Sequence, residues 1–197
     1  MSPPNPADEK LFSLAEQYIR QILSMVGDNC DRPGLKDTPA RVVRSWVELY
    51  AGYSMDPAEL MTSFPFEDGQ KCDEIILLKD IELYSTCEHH MLPFYGKAHV
   101  AYLPGKSLLG ISKLARLVEV YARRLQIQER IGTQVTQFLM GEHVNANGAA
   151  CIIEASHMCI QMRGIQKQNS VMMTSSLEGV FLDDGQARAE LMSMIKS

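Results

Sequence analysis

The stretch Ile75-Ile76-Leu77-Leu78-Lys79-Asp80-Ile81-Glu82-Leu83-Tyr84, followed by Ser85-Thr86-Cys87-Glu88-His89-His90-Met91-Leu92-Pro93, decides the fold. Ile75 to Tyr84 is rich in β-branched and leucine side chains, which marks a strand. Phe94 to Leu103 reads as its return partner across the turn Met91-Leu92-Pro93. Between the strands, one thiol, one carboxylate and two imidazoles fill four consecutive positions, Cys87 to His90. Cys87 and His90 stand in C-x-x-H spacing, which lets a turn bring a thiolate and an imidazole onto one tetrahedral zinc ion.

A second pair, His157 and Cys159, lies downstream in the apolar run from Cys151 to Met162. If Ala149 to Met162 is one strand, residues i and i+2 share a face, so His157 and Cys159 are expected side by side. Cys87, His90 and Cys159 then make three ligands, and a catalytic zinc keeps its fourth position for water or substrate. His89 and His157 are left beside it to move protons, for which an imidazole is suited near neutral pH. Two alternatives use the same residues. One is a set of buried thiols and hydrogen-bonded histidines; the other is a closed structural site with His89 or His157 as fourth ligand. A zinc nucleobase deaminase fits poorly, because P-C-x-x-C is missing.

Apolar positions from Leu11 to Met25 recur at three and four, which predicts a helix from Ala7 to about Gly27. Asp37-Thr38-Pro39 predicts a helix start with a capping side chain and a proline at the first helical position. A short helix is expected over Asp56 to Met61 and a loop over 65–70. After the two strands come helices over Ile111 to Leu125 and Gln128 to Gly141, a strand over Ala149 to Met162, a strand over Ser170 to Ser176, and a terminal helix over Ala187 to Ile195. The core order is β-β-α-α-β-β: an α+β fold, with an antiparallel sheet carrying helices on one face. We divide the chain into an N-terminal helical segment, 1–60, and a catalytic domain, 61–197.

A net charge of −5 argues against general nucleic-acid or anionic-membrane binding, so any phosphate site must be local. No apolar run approaches the roughly 20 residues that span a bilayer, and Met1-Ser2-Pro3-Pro4 lacks the features of a signal peptide. A cytoplasmic location is the expectation. Five cysteines, an odd number at irregular spacing, suit reduced thiols and a metal site better than a disulfide framework.

Five blocks together resemble the GTP cyclohydrolase I family: S-T-C-E-H-H at Ser85, G-K-A-H-V-A-Y-L-P at Gly96, G-I-S-K-L-A-R at Gly110, Q-I-Q-E-R at Gln126 and H-M-C-I-Q-M-R-G at His157. They occur in the family's order and cover most of the chain from about Asp37 onward. The resemblance implies the tunnelling fold and a homo-oligomer, a decamer of two pentameric rings with active sites between subunits. It implies GTP as substrate, converted to 7,8-dihydroneopterin triphosphate and formate through zinc-hydroxide attack on purine C8, ring opening, rearrangement and reclosure, the first step of tetrahydrofolate biosynthesis.

On this resemblance Cys87, His90 and Cys159 hold Zn2+, and His157, His89 and Ser112 act in catalysis. Glu129, with Gln128, receives guanine, whose ring N–H and amino group one carboxylate accepts in bidentate fashion. Ser112, Lys113, Arg116, Arg163 and Arg41 receive the triphosphate; the first three open a predicted helix, whose N-terminus itself favours an anion. The chain departs from the family pattern at Leu125, Gln166, Met172 and Met173, none of them a proposed ligand or acid.

Overall fold

The computed structural model describes residues 6–66 and 72–197; the Pro-rich start, 1–5, and positions 67–71, which take in most of the loop expected over 65–70, lie outside the described residues. The chain divides into two compact units, one ending at Ala51 and one beginning at Gly52.

In the first unit, α1 (Pro6–Met25) pairs with α2 (Thr38–Leu49). Pro39 sits in the first turn of α2, where a missing N–H costs no helical bond. The capping side chain expected here is not formed: Asp37, which precedes the helix, makes no side-chain cap bond. Its backbone is already helical at φ −95° and ψ −3°, whereas a capping side chain needs extended backbone to reach the second or third amide. The carboxylate instead lies 3.5 Å from Arg41.

The second unit runs α3 (Pro57–Leu60), β1 (Ser63–Pro65), β2 (Ile76–Cys87), β3 (Pro93–Leu103), β4 (Ser107–Leu109), α4 (Ile111–Ala122), β5 (Leu125–Gln126), α5 (Gln128–Met140), β6 (Gly148–His157), α6 (Met158–Gln161), β7 (Met172–Gly179), α7 (Val180–Asp183) and α8 (Gly185–Lys196). β1 and β4 pair with each other, and the main sheet has the order β5-β2-β3-β6-β7. Its long strands are antiparallel, and β5 joins β2 in parallel over two residues. The fold is α+β, with the long elements in the expected order.

Alternation sorts the sheet into two faces. Ala98, Val100 and Tyr102 of β3 and Ala149, Cys151 and Ile153 of β6 pack under α4 and α5, against Leu114, Leu117, Ile131 and Val135. Ala101, Ala150 and Ile152 point the other way, where Phe181 of α7 and Leu191 of α8 cover them, so helices lie on both faces of the sheet and not on one as expected. Gly96 lies where β3 passes closest to β6: a Cβ there would stand 1.9 Å from the Glu154 carbonyl oxygen, so only glycine fits.

β2 changes parity on its way to the metal turn. Ile76 and Leu78 join the α4 and α5 face, and so do Ile81, Leu83 and Cys87. A strand cannot place both even and odd positions on one face unless a residue is inserted. The register shifts between Leu78 and Ile81, and Asp80 takes a left-handed conformation at φ 55°. Without this bulge Cys87 would face away from α4 and α5.

β6 ends at His157, and Cys159 lies in the helical turn α6, which corrects the strand expected through Met162. The cause is the partner strand: His157 pairs with Phe94, and the next residue, Pro93, has no N–H to extend the ladder.

Candidate active site

The site is built on the turn that leaves β2. The Cys87 amide donates to the Leu92 carbonyl at 2.9 Å, and the amides of His90 and Met91 donate to the Cys87 carbonyl at 3.3 and 2.8 Å. On the other side the Glu88 amide donates to the Gln126 carbonyl at 3.0 Å, which ties the turn to β5. The turn carries His90 back toward Cys87, with Nδ1 3.9 Å from Sγ.

Cys159 reaches the same place from α6. The ligand atoms of Cys87, His90 and Cys159 all lie within 4.8 Å of one another. Both cysteines are free thiols. Burial raises the Cys159 pKa first, and the neighbouring Cys87 raises it further. A cation between the two sulfurs would offset both effects on Cys159, and a set of two sulfurs and one imidazole fits a thiophilic divalent metal. His89 has Nδ1 3.8 Å from the Cys87 sulfur, yet among the described residues only Cys87, His90 and Cys159 make the mutually close group.

His157, at the end of β6, stacks on Phe94 with ring centroids 4.5 Å apart and an angle of 4°. Its Nε2 lies 2.8 Å from Gln128 Oε1. The Gln128 amide orientation is set independently, because its Nε2 donates to the Ile153 carbonyl at 2.9 Å and to the Met172 carbonyl and Thr174 Oγ1 at 3.1 Å. The Gln128 oxygen must therefore accept, which puts the His157 proton on Nε2 and leaves Nδ1 as its basic atom. Burial lowers the His157 pKa, and the charge of Glu129 acts in the opposite direction.

Gln128 was expected to meet substrate. It is 1% exposed and both ends of its amide are engaged by the protein, so the position it holds is behind His157. Glu129 follows it at the start of α5 and is exposed. Arg130 forks onto Glu88, with Nη2 to Oε1 at 3.0 Å, and among the described residues no cation pairs with Glu129. Arg163 donates from Nη1 to His90 Nε2 at 3.0 Å.

Ser112, Lys113 and Arg116 stand elsewhere. α4 begins next to Leu109, whose amide donates to the Tyr102 hydroxyl; Tyr102 pairs with Ile76, at the end of β2 opposite Cys87. The end of α4 near the metal turn is Ala122, which leads into β5. Measured from that end along the helix axis, at 1.5 Å per residue, Ser112 and Lys113 in the first turn lie roughly 14 Å away and Arg116, a turn further on, about 9 Å. Arg41 belongs to the first unit and is exposed there. One chain thus gathers Cys87, His89, His90, Glu129, His157, Cys159 and Arg163, and sets Ser112 and Lys113 apart from them.

The GTP cyclohydrolase I family profile matches residues 15–196. GTP cyclohydrolase 1 of Wolinella succinogenes is 53% identical over 181 residues, covering 92% of this chain and 95% of that protein. The enzyme of the same name from Campylobacter lari is 48% identical over 92% of this chain and 94% of that protein. That of Carboxydothermus hydrogenoformans is 49% identical over 91% and 92%. With the match extending through almost the whole chain and taking in the turn, the helix starts and the strand end that form the site, the chain belongs to the GTP cyclohydrolase I family.

Proposed function

We propose that the chain hydrolyses GTP to 7,8-dihydroneopterin triphosphate and formate at a zinc centre held by Cys87, His90 and Cys159. The observation that carries this reading is the three ligand atoms within 4.8 Å of one another, with His157 and Glu129 at the adjoining ends of β6 and α5. Bound there, zinc would supply the Lewis acidity that activates water near neutral pH. Glu129 accepts the guanine ring N–H and amino group, and with no cation paired to it among the described residues both its oxygens are available. His157 exchanges protons with the opening ring at Nδ1, since its Nε2 proton is committed to Gln128. His89, exposed on the same turn, relays protons to water. Arg163 turns from His90 to the phosphates.

Ser112, Lys113 and Arg116 complete the phosphate site from a second copy of the chain. Two features support this: the distance of Ser112 and Lys113 from the Cys87 turn within one chain, and, among the described residues, the open edges of β7 and of β2 before Thr86, which need partners or cover. We place this arrangement in a cytoplasmic homo-oligomer, the decamer of two pentameric rings that the family resemblance implies.

Zinc-loaded protein incubated with GTP is expected to release formate and develop the ultraviolet absorption of a dihydropterin. Glu129→Ala should lower kcat/KM about 100-fold, the cost of stripping two charge-assisted hydrogen bonds. GTP that binds and stays intact would overturn the reading. Shared sites have their own test: Lys113→Ala and Cys159→Ser subunits, each inactive alone, should regain part of the parent rate when unfolded, mixed and reassembled. No regain would place each complete site within one chain.

A further inference from the structure

We propose that His99 is a positioning residue for the metal centre, acting by holding the β2 bulge at Lys79-Asp80 that turns Cys87 onto the α4 and α5 face. The inference rests on the metal centre proposed above. A bulge leaves an amide without a partner in the ladder, and here that amide is on Asp80. His99, in the middle of β3 and 5% exposed, takes it: the Asp80 amide donates to His99 Nδ1 at 3.2 Å. With Nδ1 accepting, the His99 proton is on Nε2, which faces Glu154 Oε1 at 3.5 Å on β6. Lys97 Nζ meets the Asp80 carboxylate at 2.8 Å from the same face of β3.

Asp80 stands at φ 55°, a left-handed conformation that is uncommon outside glycine even though Asp tolerates it better than most residues, so contacts that hold the bulge matter. Straightening β2 by one residue would move every later side chain to the opposite face. Cys87 would then leave the side where it meets Cys159. His99 touches neither ligand and acts only through the path of β2.

Cobalt-substituted full-length protein tests this, because sulfur-to-cobalt charge-transfer absorption in the near ultraviolet counts the thiolates on the metal. The parent protein should show two. His99→Phe should show about half that intensity and bind cobalt at least roughly tenfold more weakly, the loss typical of a supporting residue. His99→Asn, which keeps an acceptor near the position of Nδ1, should stay close to the parent. Asp80→Gly combined with His99→Phe should restore both readouts, since glycine holds φ 55° without help; this double variant decides the matter if His99→Phe alone does not fold. Two-thiolate absorption at parental affinity in His99→Phe would overturn the inference, and so would a double variant that remains defective. A parent protein with no thiolate absorption would overturn the metal centre itself and this inference with it.

Discussion

Cys159→Ser is expected to lose its metal and more than about 100-fold of its turnover, the larger end of what supporting residues alone cost. The substitution trades one sulfur for oxygen at nearly constant volume, but a serine hydroxyl keeps its proton at neutral pH and is no match for a thiolate as a ligand. Cys87 and His90 would be left as a two-ligand site. The thiol is only half-buried and lies in the short helix α6, so the fold should survive. Metal analysis after dialysis should fall from about one zinc per chain to a small fraction of that, with the circular dichroism spectrum unchanged. A thermodynamic reading is available as well. Zinc at 100 times its Kd should stabilise the parent by about 2.7 kcal/mol and leave the variant unmoved. A variant that kept stoichiometric zinc and parental turnover would remove Cys159 from the centre.

The parts of this site that were legible in the sequence are the local ones. Cys87 and His90 are three residues apart in a turn bounded by Pro93, and spacing alone predicts that they meet. Cys159 was identified for a reason the structure corrects. It lies in a helical turn, so its approach to Cys87 depends on where β3 stops supplying amides. That stop is a pairing fact about Pro93, more than 60 positions away in the chain. The bulge had a visible trace, since apolar residues at Ile76 and Leu78 are followed by Ile81 and Leu83, a spacing of three in a pattern of two. Its partner His99 gave no such trace, because a histidine within a strand reads the same whether or not it holds a neighbour.

Gln128 shows the opposite limit. Beside Glu129 at a helix start it reads as a polar group offered to substrate, while its burial follows from strands β6 and β7 closing over it. The three-residue strands β1 and β4 went unseen because neither has the length or alternation that marks a strand, and β1 ends in proline. The separation of Ser112 and Lys113 from the Cys87 turn was equally hidden. It is set by the direction of α4, which sequence periodicity does not give.

His157→Asn should lower kcat by roughly 10²- to 10⁴-fold with little change in KM, the range for loss of a proton-transfer group. Gln128→Leu should produce a smaller fall of the same kind, because it frees the His157 ring to turn and removes the acceptor that keeps its proton on Nε2. It should also cost about 1–3 kcal/mol of stability by leaving the Ile153 and Met172 carbonyls without their donor. The informative quantity is the combination. If Gln128 works through His157, then once His157 is gone Gln128→Leu has nothing further to take from kcat, and the two losses should not add. Stability should still fall, because the bonds to Ile153 and Met172 do not involve the imidazole. A Gln128 that contacted guanine itself would behave differently: Gln128→Leu would raise KM, and its effect would persist in full on the His157→Asn background. Steady-state kinetics of the two single variants and the double variant separate these outcomes.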